Sequence, residues 1–251
     1  MRKGDKMTAD EKQWLQKQYP YRIEMHAHTA PCSPCGKEPP EKLVDAYSEL
    51  GYDALVLTNH FAYKIGVFTN DDLSKEEQLA LYVKDYEDAC RAAEKKNIKI
   101  LLGAELRFAE SINDYLLYGA DYATLSVAYD YLEEGLESYY KNGKPKNGLL
   151  LQAHPFRSEM TRANCELLDG IETFNMHPGQ NSAIGLAVKY AAENKFAVTT
   201  AGTDFHCFSE HHQGLSALRT SVLPQDSFEL ADILRHGDYL FEIGGEAIVL
   251  P

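Results

Sequence analysis

The fold class this sequence predicts is an α/β barrel in one domain. Apolar runs of strand length alternate with segments of helical periodicity along the chain. Several of the runs are apolar nearly throughout, as in a parallel sheet covered by helices. Histidines and acids stand at the C-terminal ends of those runs, where barrels gather functional groups. Seven runs before residue 204 suit a closed or distorted barrel better than an open sheet, and 251 residues suit a single barrel domain.

Residues 1–20 read as a polar leader of mixed charge, with one short helix around Asp10 to Gln18; the barrel occupies 21–251. The leader has no apolar stretch, so a secretory signal is not expected. Strands are expected at 21–28, 54–59, 98–106, 114–119, 148–153, 170–175 and 196–203, then at 239–243 and 246–250 around Gly244-Gly245. The first helix opens at Pro39-Pro40-Glu41 and aligns Leu43, Val44, Tyr47 and Leu50 on one face, with Gly51 closing it. The second opens with Ser74 as N-cap and Glu77 three residues on, a capping box, and runs to about Asn97. Segments 127–141, 182–194 and 227–236 supply the remaining helices.

Net charge is -13, with 25 Lys and Arg scattered among 38 Asp and Glu. That surface repels a nucleic-acid backbone, so a long nucleic-acid partner is not expected. The longest apolar runs are too short for a membrane span, and a cytoplasmic protein is expected. Five cysteines, odd in number and widely spaced, read as reduced thiols. Cys32 and Cys35 form one CxxC, without the second pair a structural zinc site needs.

The chemistry lies in the run ends. His26 and His28 are two apart on a strand, so both rings project from one face. His60, Glu105 and His154 close the next runs, and Asp204 and His206 close the run at 196–203. Imidazole and carboxylate are ligands of zinc, manganese and iron. Glu105 is the natural bridge between two cations, and a hydroxide held between them can attack phosphorus in line. An acid inside an apolar run would be costly unpaired; a partner such as Arg107 is the other way to satisfy Glu105.

His26-Ala-His28, Thr58-Asn-His60, Gly103-Ala-Glu105, Ala153-His154-Pro155 and Gly202-Thr-Asp204-Phe-His206 occur in order from about 21 to 215. In this the chain resembles the PHP (polymerase and histidinol phosphatase) family of metal-dependent phosphoesterases. The resemblance implies a distorted (β/α)7 barrel and two or three divalent ions (zinc, manganese or iron). It implies that His26, His28, Glu105 and Asp204 hold one ion, and Glu105 and His154 a second. His60 and His206 would hold a third or approach the substrate. The implied activity is histidinol-phosphatase-like hydrolysis of a small phosphomonoester or phosphodiester. Asp204 or His206 would manage the proton, and His60 or Arg157 would contact phosphate. A nucleotide or oligonucleotide phosphoesterase and a non-catalytic metal-binding regulatory barrel are the alternatives; the same chemistry also serves amides.

Two positions depart from the family pattern. Cys35 stands where three-metal members carry a histidine before a glycine, and is either a substituted ligand or a buried thiol. The family also has a histidine after its fourth strand, where this chain offers only Asp121, which reads better as a helix N-cap. Arg157 can clamp a phosphate or pair with Glu159. Glu172 and Asn175 can support the site through hydrogen bonds or cap the next turn. His177, His211 and His212 lie near the same rim as lesser candidates, and His236 reads as surface.

Overall fold

The computed structural model of the protein describes residues 7–208 and 213–251; His211 and His212 lie outside the described residues. Its elements in chain order begin with α1 (Ala9–Gln18), β1 (Tyr21–Ala27), α2 (Pro40–Glu49), β2 (Ala54–Leu57), β3 (His60–Ala62) and α3 (Lys75–Ala93). Next come β4 (Lys99–Leu102), β5 (Ala104–Arg107), β6 (Tyr115–Tyr118), α4 (Tyr122–Asp130), a short α5 (Leu136–Ser138) and β7 (Leu149–Gln152). The chain finishes with β8 (Gly170–Asn175), α6 (Ile184–Asn194), β9 (Val198–Gly202), β10 (Ser216–Thr220), α7 (Ser227–His236), β11 (Tyr239–Ile243) and β12 (Ala247–Val249).

Among the described residues the strands form two six-stranded sheets, ordered β12-β11-β10-β1-β2-β4 and β3-β5-β6-β7-β8-β9. The fold is therefore mixed α/β. The chain passes from one sheet to the other at four links: β2 into β3 through Thr58-Asn59, β3 back into β4 by way of α3, β4 into β5 at Gly103, and β9 into β10. Gly103 suits that crossing, because a Cβ there would lie 2.9 Å from Val56 Cγ1 and 3.0 Å from Thr58 Cγ2. At the other side, the His28 N–H donates to Phe205 O and the Phe205 N–H to His26 O, a parallel bridge between β1 and the segment after β9. The ends of β1, β2, β4, β7 and β9 thus meet in one place.

The expectation of a parallel sheet needs correction. β6 runs antiparallel to both β5 and β7, and β10 is antiparallel to β1 and β11. The link from β5 to β6 is too short for the crossover helix that parallel neighbours require. β10 was not expected as a strand. Its Ser-Ala-Leu-Arg-Thr carries a buried Arg219, which donates to Glu242 on β11 at 2.6 Å. The helix expected at 127–141 is Tyr122–Asp130, and the following turns are re-set by Gly135 at φ +99°.

Helix starts follow local chemistry. Ser74 and Glu77 form the expected capping box on α3, and Thr8 and Glu11 form another on α1. Asp121 is the N-cap of α4: its carboxylate accepts the Thr124 N–H at 2.8 Å. Asp121→Ala should therefore lower stability by about 1 kcal/mol and leave metal content and turnover unchanged; thermal melting and elemental analysis read the two effects separately. The core takes in several tyrosines, with Tyr47, Tyr52, Tyr115, Tyr118 and Tyr139 buried beside Phe61, Phe108 and Phe241. Each large apolar side chain so buried contributes roughly 1.5–3 kcal/mol before entropy is counted.

Candidate metal centre

His26 and His28 are completely buried at the end of β1. Glu24 lies on the same face and fixes the local backbone. Its Oε1 accepts the N–H groups of Met25 and His26, both at 3.0 Å, and of Thr203 at 2.9 Å. Its Oε2 accepts from the Tyr47 hydroxyl at 3.0 Å. One buried carboxylate so ties β1 to the turn that carries Asp204. Glu24 had a sequence signal, an acid in phase with two histidines, that pointed to this.

Glu172 orients the rings. It faces His26 Nδ1 at 2.9 Å and accepts the His154 N–H at 3.0 Å and the Asn175 amide at 2.9 Å. Asn175 Nδ2 also donates to Asp204 Oδ2 at 3.1 Å. These hydrogen bonds match the supporting role for both Glu172 and Asn175, and Asn175 Oδ1 also accepts the His177 N–H at 3.3 Å, so it caps the following turn as well. A carboxylate on Nδ1 turns the His26 Nε2 inward, as outer-shell carboxylates do for metal-binding histidines.

At the centre, His26 Nε2 and His28 Nε2 are 3.1 Å apart. Asp204 Oδ1 is 3.4 Å from the first and 3.2 Å from the second. Glu105 lies 3.4 Å from each through its two oxygens. Ligands about 2.1 Å from one tetrahedral ion would stand roughly 3.4 Å from each other, so His26, His28 and Asp204 fit a shared cation, with Glu105 beside both imidazoles. Glu105 also faces His154 Nε2 at 3.1 Å and His60 Nδ1 at 2.9 Å. His60 Nδ1 and Glu105 Oε2 are buried, yet neither makes a well-directed hydrogen bond. His154 and Asp204 adopt left-handed backbone, at φ 28° and 55°, strain of the kind that collects at functional sites.

The remaining predicted residues gather around this core. His206 stacks on His28 with centroids 4.6 Å apart, and its Nδ1 lies 2.7 Å from Asp204 O. Cys35 contacts His60 and His206 through its thiol. Arg157 donates to Asp204 Oδ2 and to Asn175 Oδ1, rather than pairing with Glu159. His177 meets His206 edge-on at the rim, 4.9 Å between centroids. His236 is exposed on α7 and turned to Asp232 of its own helix.

One carboxylate of the site was missed from sequence. Asp114, just before β6, is buried with Oδ2 3.9 Å from His154 Nε2, and it groups with His60 and Glu105 within 4.8 Å. Arg107 holds it through two bonds of 2.6 and 2.7 Å, so Arg107 serves Asp114 and not Glu105. Because β6 is antiparallel, its start and not its end reaches the centre. Asp121 lies at the far end.

The charges are unequal. Burial disfavours charge on His26, but the Asp204, Glu172 and Glu105 carboxylates lift its pKa well above the ordinary value. Burial likewise opposes charge on His60, and Glu105 with Cys35 raises it well above. His28 is pushed down to about 3, chiefly by burial, so it is neutral. His26 can then donate from Nε2 to the His28 Nε2. Despite burial, the histidines and Arg157 hold Asp204 well below the usual carboxylate range, and the histidines do the same for Glu105. Imidazoles protonated at neutral pH must lose those protons to bind a cation. Metal uptake should therefore release protons, and affinity should rise with pH through neutrality. Calorimetry in buffers of different ionisation enthalpy checks this; uptake without proton release would contradict it.

The family model described as PHP domain matches residues 24–156, more than half of the chain. The fold resembles the crystal structure of a two-domain protein from Bacteroides vulgatus that contains a predicted PHP-like metal-dependent phosphoesterase. That likeness has TM-score 0.64 and 15% identity, and covers 89% of this chain. The present chain spans only 65% of that protein's length. An amidohydrolase from Chromobacterium violaceum, with bound sulfate and no metal, gives TM-score 0.49 and 15% identity over 76% of this chain and 89% of its own. No curated protein matches the chain.

Proposed function

The chain belongs to the PHP domain family, and from that premise we propose that it is a metal-dependent phosphoesterase acting on a small phosphorylated substrate. The two sheets are read together as one distorted (β/α)7 barrel. That reading is supported by the crossings at Thr58-Asn59 and Gly103 and by the bridge between Ala27 and Phe205. His26, His28, Glu105 and Asp204 hold one divalent ion; Glu105 and His154, with Asp114 beside them, hold a second. Cys35, His60 and His206 remain for a third. Bound ions of the zinc, manganese or iron class supply Lewis acidity and an activated water.

The chain's own residues do the rest. Glu105 bridges, since its two oxygens face four imidazoles. His206 directs Nδ1 to the Asp204 carbonyl, which leaves its other ring nitrogen for the side of the Cys35 thiol. Arg157, with a buried Nε that lacks a partner, offers a guanidinium to a phosphate oxygen. Asn175 holds that guanidinium in place. Arg157→Ala should raise KM for a phosphoester by a factor of roughly 10–100, the weight of a lost hydrogen bond to a charged group. An unchanged KM in steady-state kinetics would remove Arg157 from substrate binding.

The observation that carries the proposal is the single carboxylate of Glu105 ringed by His26, His28, His60 and His154, with Asp204 opposite. Purified protein refilled with manganese or zinc should hydrolyse generic phosphomonoesters or phosphodiesters and lose that activity on chelation. Two or more ions bound per chain with no turnover on any of these substrates would favour a metal-binding barrel without catalysis. Among the described residues no helix is long and apolar enough to cross a membrane.

A further inference from the structure

Around the centre the donor atoms divide by chemistry. On the inner side His26 and His28 face two carboxylates, Glu105 and Asp204. On the outer side the donors are a thiol and imidazoles. Cys35 groups with His28 and His60 within 4.8 Å, and the His206 ring hydrogen-bonds the same thiol. His60 turns Nδ1 to Glu105, and His206 turns Nδ1 to the Asp204 carbonyl. Each ring thus presents its other nitrogen on the side of the thiol.

The loop that carries Cys35 is built to hold it there. The Ser33 N–H donates to Thr29 O at 2.9 Å and the Gly36 N–H to Ser33 O at 3.0 Å. The Ser33 hydroxyl donates to Asn59 Oδ1 at 2.8 Å and accepts the His60 N–H at 2.9 Å. The Lys37 N–H donates to His206 O at 2.8 Å. Residue 35 is therefore braced on one side against the residue that carries His60 and on the other against His206. Gly36 follows in contact with the Thr29 backbone, where a Cβ would lie 2.7 Å from a carbonyl carbon.

We propose that Cys35 makes the outer metal position a soft one, formed by its thiolate with His60 and His206, so that this protein carries unlike cations: a zinc-class ion outside and a manganese- or iron-class ion inside. The inference rests on the reading of the cluster as a metal centre and adds the identity and order of its ions. Thiolate with imidazole selects zinc and its analogues, whereas carboxylate oxygen suits manganese. As the sulfur–metal bond forms, the thiol proton leaves to solvent.

Cobalt(II) tests this without reference to turnover. Metal-free full-length protein is titrated with cobalt, and elemental analysis is read beside the near-ultraviolet sulfur-to-cobalt charge-transfer band. Wild type should show the band; Cys35→Ser should lose it together with one bound ion; Cys35→His should keep the ion without the band. Cys207→Ser, at the cysteine that follows His206 in the chain, should keep both. Given an equal mixture of zinc and manganese, wild type should retain zinc at one position and manganese at another. Cobalt bound without the band, or a band that survives Cys35→Ser, overturns the soft site while leaving the phosphoesterase reading intact. No uptake of cobalt at all overturns both.

Discussion

Asp204→Asn should abolish hydrolysis, by at least about a thousandfold in kcat/KM, the scale seen when a group stabilising transition-state charge is lost. Asparagine is the informative replacement because position 204 has φ 55°, which asparagine tolerates and alanine does not. Its amide can still accept from Arg157 and Asn175, so the turn and its supports survive. What disappears is the negative charge that stands 3.2–3.4 Å from His26 Nε2 and His28 Nε2. That charge offsets a cation at the inner position and helps hold the proton on His26 in the metal-free state. Two readouts should move together: metal content falls by an ion, and turnover vanishes. Asp204→Ala should do the same with an added loss of stability from the strained backbone. An Asp204→Asn variant that keeps a tenth of wild-type turnover would show that Asp204 is not a ligand.

The linkage has a definite sign. Asp204 and Glu105 have folded pKa values held low, so the stability they contribute is present above the ordinary carboxylate range and is lost as pH falls through the depressed values. His26 and His60 have raised values, so their contribution is complete below about 6.5, the free histidine value, and fades as pH rises through the folded values. Metal-free protein is therefore weakened by both extremes, and bound cations should remove the alkaline loss, because they replace the protons on those rings.

Most of this centre was legible because its signals are local. The phase of His26 and His28 on a strand, and a polar residue ending each apolar run, need only the period of two and the run boundaries. Asp121 as a cap was equally local, since its partner Thr124 is three residues away. What escaped depended on pairing direction and on distant partners. Asp114 reaches the centre only because β6 is antiparallel, and nothing within Tyr115–Tyr118 states its direction. β10 is a strand because Arg219 finds Glu242 across the β10–β11 pair and β1 lies on its other side. Arg157 had a nearby acid in Glu159, yet the fold brings Asp204, 47 positions away, to it instead. Glu24 was visible as an acid in phase with the histidines, but its purpose needed Thr203 beside it.

That dependence on close approach makes Gly202 a position where a single methyl group should strike the centre directly. Gly202 ends β9, and a Cβ added there would lie 2.4 Å from His26 Cβ and 2.7 Å from Glu172 Oε1. Real carbon contacts are not that short, and neither neighbour can retreat. His26 is fixed by the β1 backbone, with its N–H on Glu24 and its carbonyl bound by Phe205. Glu172 is held at once by His26, the His154 N–H and Asn175. Overpacking of this kind costs about 3 kcal/mol, and here the strain falls on the contact between His26 and Glu172. Gly202→Ala should therefore lower the midpoint of denaturant unfolding and also lose metal affinity, with turnover falling in proportion. Gly185→Ala is the matched control, since a Cβ there meets nothing within 4 Å and α6 should gain slightly from the change. If Gly202→Ala keeps full metal content and wild-type stability, β1 and β9 do not pack as closely as the arrangement of the centre requires.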